Sequence, residues 1–239
     1  MTKLSVNVNK IALLRNQRDL NIPDVLACSQ TIINAGAHGI TVHPRPDERH
    51  IRYADAYALA EMLTVEYNIE GNPFTGKYMQ VIRDIKPDQA TLVPDEPAAE
   101  TSDHGWNLTS PPSGLAEIID EIKSLGTRVS LFMDPDPHQI ELAAQLNADR
   151  VELYTEPYAK AFATGTDLEK SIQTYAAAAE KAQSLGMGVN AGHDLNLKNL
   201  KTFCQAVPNV KEVSIGHALI ADALEMGLAQ TVKHYLALL

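Results

Sequence analysis

The sequence predicts an α/β fold, closed into a (β/α)8 TIM barrel that occupies residues 1–239 as a single domain. Three observations predict it. Short β-rich runs alternate with longer helical patterns from end to end, the order that yields parallel strands joined by crossover helices. One transition, a helix end followed by Gly and then a strand, recurs in AGAHGITVH, SLGTRVSLF and SLGMGVNAG. No Gly-x-Gly-x-x-Gly turn follows the first run, so an open dinucleotide-binding sheet would lack its phosphate cradle. The length of 239 residues also suits a closed barrel, for which about 250 is typical.

In chain order the expected strands are LSVNVN (4–9), GITVHP (39–44), YNIEGN (67–72) and ATLVP (90–94), then RVSLFMD (128–134), RVELYT (150–155), GVNAGH (188–193) and EVSIGH (212–217). The helix PDVLACSQTIINAG follows the first strand, with Pro23 suited to a first helical turn and Gly36 to the stop. AYALAEMLTVEY, LAEIIDEIKSLG, IELAAQLNA and LEKSIQTYAAAAEKAQSLG carry the pattern onward, and ALIADALEMGLAQTVKHYLALL closes the chain as a helix. The irregular stretch from Asp95 to Gly114 falls after the fourth strand, where a lid or substrate loop is expected.

Composition narrows the function. A net charge of −10 argues against nucleic acid, whose phosphates demand clustered positive charge. No apolar run approaches the roughly 20 residues that span a bilayer, and MTKLSVNVNK lacks the features of a secretory signal, so a cytoplasmic location is expected. Cys28 and Cys204 lie in helix-like segments and read as apolar fillers, not as a disulfide or metal site. An anionic substrate would need a local basic patch. Two are available: Lys10, Arg15 and Arg18, and Arg45, Arg49 and His50.

Groups suited to proton transfer or anion binding recur at the C-terminal ends of the expected strands: Asn7 and Asn9, His43 and Arg45, Glu70, Asp134, Glu152, His193 and His217. A barrel gathers all eight ends on one face, where barrel enzymes place their chemistry. The opposite ends carry Lys3, Tyr67, Arg128 and Arg150, which read as solvated caps. Burial would raise the pKa of a carboxyl such as Glu70 toward the range of a general base, and imidazoles such as His43 and His193 titrate near neutrality without tuning. Gly192 and Gly216 permit close backbone approach, and the amides opening the helices that follow can bind an anion.

The segments VNVNKIALLRNQR, GAHGITVHPRPDERHI, NIEGNP, LVPDEP, VSLFMDPD, SLGMGVNAGHDL and SIGHALI, in this order and nearly end to end, closely resemble the pyridoxine 5′-phosphate synthase family. The resemblance implies a condensation of 3-amino-2-oxopropyl phosphate with 1-deoxy-D-xylulose 5-phosphate that needs no cofactor or metal, the substrate amine itself forming the Schiff base. It implies His43 and Glu70 as general bases and His193 as proton donor. It places Asn7 and Arg18 at the aminoketone phosphate, Arg45, His50 and Thr101 at the deoxyxylulose phosphate, and Asp194, Gly216 and His217 in the second phosphate pocket. Asn9 and Lys10 stand at the sugar-binding position, where many members carry Asp-His, and Asp194 stands where members often have Gly. The resemblance also implies a homo-octamer, in keeping with a C-terminal helix that is apolar on more than one face.

Three other readings compete. Lys10 in a barrel mouth could form a Schiff base, as in an aldolase acting on a phosphorylated ketone. His43, His193, His217 and Glu152 could hold a divalent metal, although no tight ligand spacing is present. A barrel that binds sugar phosphates without turning them over is the non-enzymatic alternative.

Overall fold

The computed structural model describes every residue of the chain except Pro97, Ala98 and Glu100. Eight parallel strands close into a barrel in sequence order: β1 (Lys3–Asn7), β2 (Gly39–Val42), β3 (Glu66–Gly71), β4 (Gln89–Leu92), β5 (Arg128–Met133), β6 (Arg150–Tyr154), β7 (Gly188–Gly192) and β8 (Val210–Ile215). Closure is made where β1 pairs with β8, Lys3 standing opposite Glu212.

Alternation along each strand decides where the core sits. Leu4, Val6, Ile40, Val42, Ile69, Leu131, Val151 and Val189 are fully buried and belong to one apolar cluster with helix residues such as Ile32, Leu59, Ile82, Ile119 and Val232. The intervening residues are polar and equally buried: Ser5, Thr41, Asn68, Gln89, Thr91, Ser130, Glu152, Asn190 and Glu212. They point into the barrel, because Gln89 on β4 bonds Glu212 on β8 at 3.3 Å and Asn190 on β7 bonds Gln89 at 3.2 Å, between strands that are not neighbours. Barrels usually fill this space with branched apolar side chains. Here a polar column, linked by hydrogen bonds among Ser5, Thr41, Asn68, Thr91, Gln89, Asn190 and Glu212, runs up to the active face.

Eleven helices surround the barrel among the described residues: α1 (Asn9–Arg15), α2 (Val25–Asn34), α3 (Tyr53–Met62), α4 (Tyr78–Ile85), α5 (Leu115–Ser124), α6 (Pro137–Gln145), α7 (Glu156–Thr164), α8 (Leu168–Ser184), α9 (Leu200–Ala206), α10 (His217–Met226) and α11 (Leu228–Leu236). Pro23 precedes α2 and does not open it. Asp24 is the N-cap, its carboxylate accepting from the Ala27 amide at 3.0 Å. The C-terminal segment is two helices, because Gly227 at φ 79 and ψ 144 leaves helical geometry altogether.

Other expectations change with the structure. All eight strands stop one or two residues short of their expected ends, so His43, His193 and His217 lie just past the ladder, in connections or at a helix start. Arg128 and Arg150 are not solvated caps. Arg128 pairs with Glu66 and donates to Gln89 at 2.9 Å, while Arg150 lies 3.7 Å from Glu212 and donates to Asn190 at 3.0 Å, forming an ionic floor under the polar column. Tyr67 is buried, its hydroxyl donating to the Ala56 carbonyl. Cys28 and Cys204 are free thiols, half-buried against the core.

Candidate active site

The C-terminal ends of the strands enclose a cavity of about 410 Å³. Asn7, Asn9 and Lys10 enter it from the end of β1 and the first turn of α1, and His43, Arg45 and His50 from the connection after β2. Glu70 comes from β3, Thr101 and Ser102 from the connection after β4, Tyr154 and Glu156 from the end of β6, and His193 and Asp194 from the end of β7. Ser214 to Ala218 complete the wall from β8 into α10.

Twelve of the thirteen sequence-predicted site residues thus line one cavity; Arg18 does not. It is exposed in the turn after α1. Its neighbour in the first basic patch, Arg15, is also spoken for. Arg15 is buried and makes a bidentate pair with Asp55 at 2.6 and 2.8 Å, and donates to the His50 carbonyl at 3.1 Å, so it braces the connection after β2 and is not available to an anion. Arg49 donates to both Asp47 oxygens and to the Ala99 carbonyl. Asp134 lies outside the cavity, and Glu152 lies beneath it within the barrel.

The polar groups are held by one another. Asn7 donates to Glu70 Oε2 at 3.3 Å and accepts the Asn9 amide at 3.0 Å; Asn9 in turn accepts the His43 amide at 2.9 Å. His43 Nδ1 lies 3.9 Å from Glu70 Oε2, both side chains being buried. Arg45 is fixed by Asp95 at 2.7 Å, and Ser102 donates to the same carboxylate oxygen at 2.6 Å. That bond ties the connection after β4 to the cavity. Farther along, Trp106 donates from its indole to the Leu92 carbonyl and its amide to Phe132, so this part of the expected lid is packed onto the barrel.

Burial sets the protonation states. It pushes the Glu70 carboxyl up to about 8, with the Asp95 charge adding to the effect. Burial likewise lowers His43 well below the usual imidazole range, helped by the nearby Arg45, and lowers His50 to about 4 for the same two reasons. His193 is lowered by burial, which the adjacent Asp194 partly offsets. Near neutral pH the cavity therefore holds a protonated carboxyl beside neutral imidazoles.

Gly192 is required by close approach: a Cβ there would collide with Glu152 Oε1. Gly216 caps α10, whose opening residues His217 and Ala218 line the cavity. The expectation of a helix opening after β7 is corrected, since α9 does not begin until Leu200. Among the described residues no group of three or more His, Cys, Asp or Glu is arranged to hold a metal ion, and no helix is long and apolar enough to cross a membrane.

Sequence reasoning did not find Ser102, Tyr154, Glu156 and Ser214. Each sits within two residues of an already flagged strand end or site residue, and that adjacency was the available signal.

Residues 4–239 match the family model described as pyridoxal phosphate biosynthesis protein PdxJ. The chain belongs to the PdxJ family. It is 54% identical over 236 residues to the pyridoxine 5′-phosphate synthase of Cytophaga hutchinsonii, covering 99% of this chain and 98% of that one. It is 51% identical over 235 residues to that of Porphyromonas gingivalis, covering 98% of each. Among solved structures this PdxJ-family chain resembles tryptophan synthase from M. tuberculosis at a TM-score of 0.66 and 10% identity, covering 99% of this chain and 92% of that one. It also resembles phosphoribosylanthranilate isomerase from Thermotoga maritima at a TM-score of 0.58 and 13% identity, covering 100% and 98%. These two likenesses concern the fold alone.

Proposed function

We infer that the chain is a pyridoxine 5′-phosphate synthase, an enzyme of vitamin B6 biosynthesis that condenses 3-amino-2-oxopropyl phosphate with 1-deoxy-D-xylulose 5-phosphate to pyridoxine 5′-phosphate, phosphate and water. One observation carries the reading. A chain about half identical to such synthases along its whole length brings His43, Glu70 and His193 around a single cavity with Arg45 and Lys10.

The proposed chemistry is proton transfer. The substrate amine attacks the sugar ketone and loses water to give a Schiff base; loss of phosphate and ring closure then require several protons to move. His43, neutral and 3.9 Å from Glu70, is ready to accept a proton, and Glu70, with a pKa of about 8, exchanges one at little cost near neutrality. His193 begins neutral, and a phosphate dianion entering beside it favours its protonated form, which makes it a donor.

Asn7, Asn9, Lys10, Arg45, His50, Thr101, Asp194, Gly216 and His217, all lining the cavity, are the substrate-binding set of this proposal, with the N-terminal amides of α10 contributing to the second phosphate; Arg18, exposed outside the cavity, joins the set on the family resemblance alone. The exposed Leu14, Leu20, Ile22 and Leu224 support a homo-oligomer, proposed as an octamer, in the cytoplasm.

The test is incubation of purified protein with both substrates, without added metal or nucleotide, following pyridoxine 5′-phosphate and released phosphate, with Glu70→Gln in parallel. Turnover by the wild type that is lost in the variant is expected. A folded wild type that forms no product overturns the assignment.

A further inference from the structure

The backbone that carries His193 is held in an uncommon state. His193 and Asp194 are consecutive non-glycine residues with positive φ, 71° and 48°, a conformation that L side chains adopt rarely and that persists only where the surroundings over-determine it. Beside the Leu195 amide, which bonds the His193 carbonyl at 2.5 Å, and Asn196, which donates to the Asp194 carbonyl at 3.2 Å, two side chains that line no part of the cavity supply restraint. Thr155, fully buried at the end of β6, donates its amide to the Gly192 carbonyl at 3.0 Å. Its hydroxyl lies 2.6 Å from that same carbonyl and also meets the carbonyl of His193. A hydroxyl has one proton, so Thr155 shares it between the two carbonyls and fixes their relative direction. On the far side, Asn199 donates to the Asp194 carbonyl at 3.1 Å and is itself held where Tyr158 donates to its carbonyl at 2.8 Å.

The ring that this backbone presents has little room to wander. His193 packs against Phe132 and Tyr154 at centroid separations of 5.1 and 5.7 Å. A peptide rotation at Gly192–His193 would lift the imidazole out of that box and away from the cavity. The β-branched side chain of Thr155 has few rotamers, which keeps its hydroxyl aimed without help from neighbours.

We propose that Thr155 is a positioning residue for the reaction: by bridging the Gly192 and His193 carbonyls, its hydroxyl holds the His193 imidazole in register with the substrate. The proposal rests on the reading of His193 as the proton donor. Misplacement of a reacting group by about 1 Å costs on the order of 100-fold in rate, so loss of the hydroxyl acts on kcat and leaves KM nearly unchanged.

The experiment compares steady-state kinetics of Thr155→Val, Thr155→Ala and Thr155→Ser, with His193→Asn and Ser29→Ala alongside. Ser29 is a buried hydroxyl that donates to the Val25 carbonyl in α2 at 2.8 Å, far from the cavity, and reports the effect of losing one buried hydrogen bond on stability alone. The expected result is a fall in kcat of about 30-fold or more for Thr155→Ala and Thr155→Val with KM within threefold, recovery to within about fivefold in Thr155→Ser, and wild-type kcat in Ser29→Ala at a comparable loss of thermal midpoint. If the valine variant does not fold, the alanine variant decides. Imidazole NMR of the alanine variant supplies a second readout, in which the His193 titration moves and that of His43 does not. Alanine and valine variants that keep kcat within threefold of wild type, or a serine variant as impaired as alanine, overturn the proposal. Full activity in His193→Asn overturns the donor assignment instead, and is read independently of every Thr155 variant.

Discussion

Replacing Glu70 by Gln separates stability from catalysis in a way that depends on pH. The folded protein holds this carboxyl at about 8, against an ordinary value of 4.5. Between those values the folded state keeps a proton that the unfolded chain has released, so stability falls as pH rises through this window. The loss is absent below about pH 4.5 and complete above about pH 8. At about 1.4 kcal/mol per unit, it reaches roughly 3 kcal/mol at pH 7 and roughly 5 kcal/mol at pH 8 as an upper bound. Gln is isosteric with the protonated carboxyl, can accept the Asn7 bond made at 3.3 Å, and does not titrate. Urea unfolding of both proteins at half-unit steps from pH 4 to 9 is the assay. Glu70→Gln should match the wild type at pH 4 and exceed it by 2–4 kcal/mol at pH 8, while being inactive. A pH-independent difference, or a wild type that gains stability relative to the variant as pH rises, would refute the protonated-carboxyl argument.

The remaining predictions concern the frame around the cavity. Arg15→Ala leaves Asp55 buried without its bidentate partner and should cost about 3–5 kcal/mol by chemical denaturation; Arg15→Ala with Asp55→Ala should recover part of that loss. Gly227→Ala meets no neighbouring atom within 4 Å, yet sits at φ 79 and ψ 144, so a loss of about 1–3 kcal/mol in thermal unfolding would be pure backbone strain. Asp95→Asn keeps the Ser102 contact but loosens its charge-assisted grip on Arg45. KM for the sugar phosphate should rise about tenfold with a smaller change in kcat, because uniform binding is what is lost.

The strands were legible because β-rich runs alternate with helical patterns and three of the αβ turns, in AGAHGITVH, SLGTRVSLF and SLGMGVNAG, announce themselves with a glycine. Their ends were not, since His43, His193 and His217 extend the β-like pattern by a residue or two past the last ladder bond. The site was legible for a topological reason: parallel closure puts every strand end on one face, so a residue such as Glu70 could be assigned there without knowing its neighbours. What needed coordinates was long-range pairing. Nothing local in the sequence ties Arg15 to Asp55, Arg45 to Asp95, or Thr155 to the His193 carbonyl, and these contacts decide which basic residues can meet an anion and which are committed to structure.

The protonation pattern also resolves an apparent conflict in charge. The protein carries a formal −10, and three glutamates, Glu70, Glu152 and Glu212, are buried within the barrel under a cavity proposed to receive two phosphorylated substrates. Ionised, they would repel both. Burial raises all three carboxyls, and neighbouring like charges add to the effect, Asp95 and Glu212 at Glu70, and Glu70 and Glu212 at Glu152. Cations oppose the rise at two of them, Arg150 at 3.7 Å and Arg128 at Glu212, and Arg45 at Glu70. Burial therefore disfavours negative charge in the column beneath the cavity, while the lining above it sets Lys10 and the Arg45–Asp95 pair beside Glu156 and Asp194. Acidity of the whole protein and affinity for anions at one face are then compatible, because burial disfavours the charged form of the carboxyls under the site.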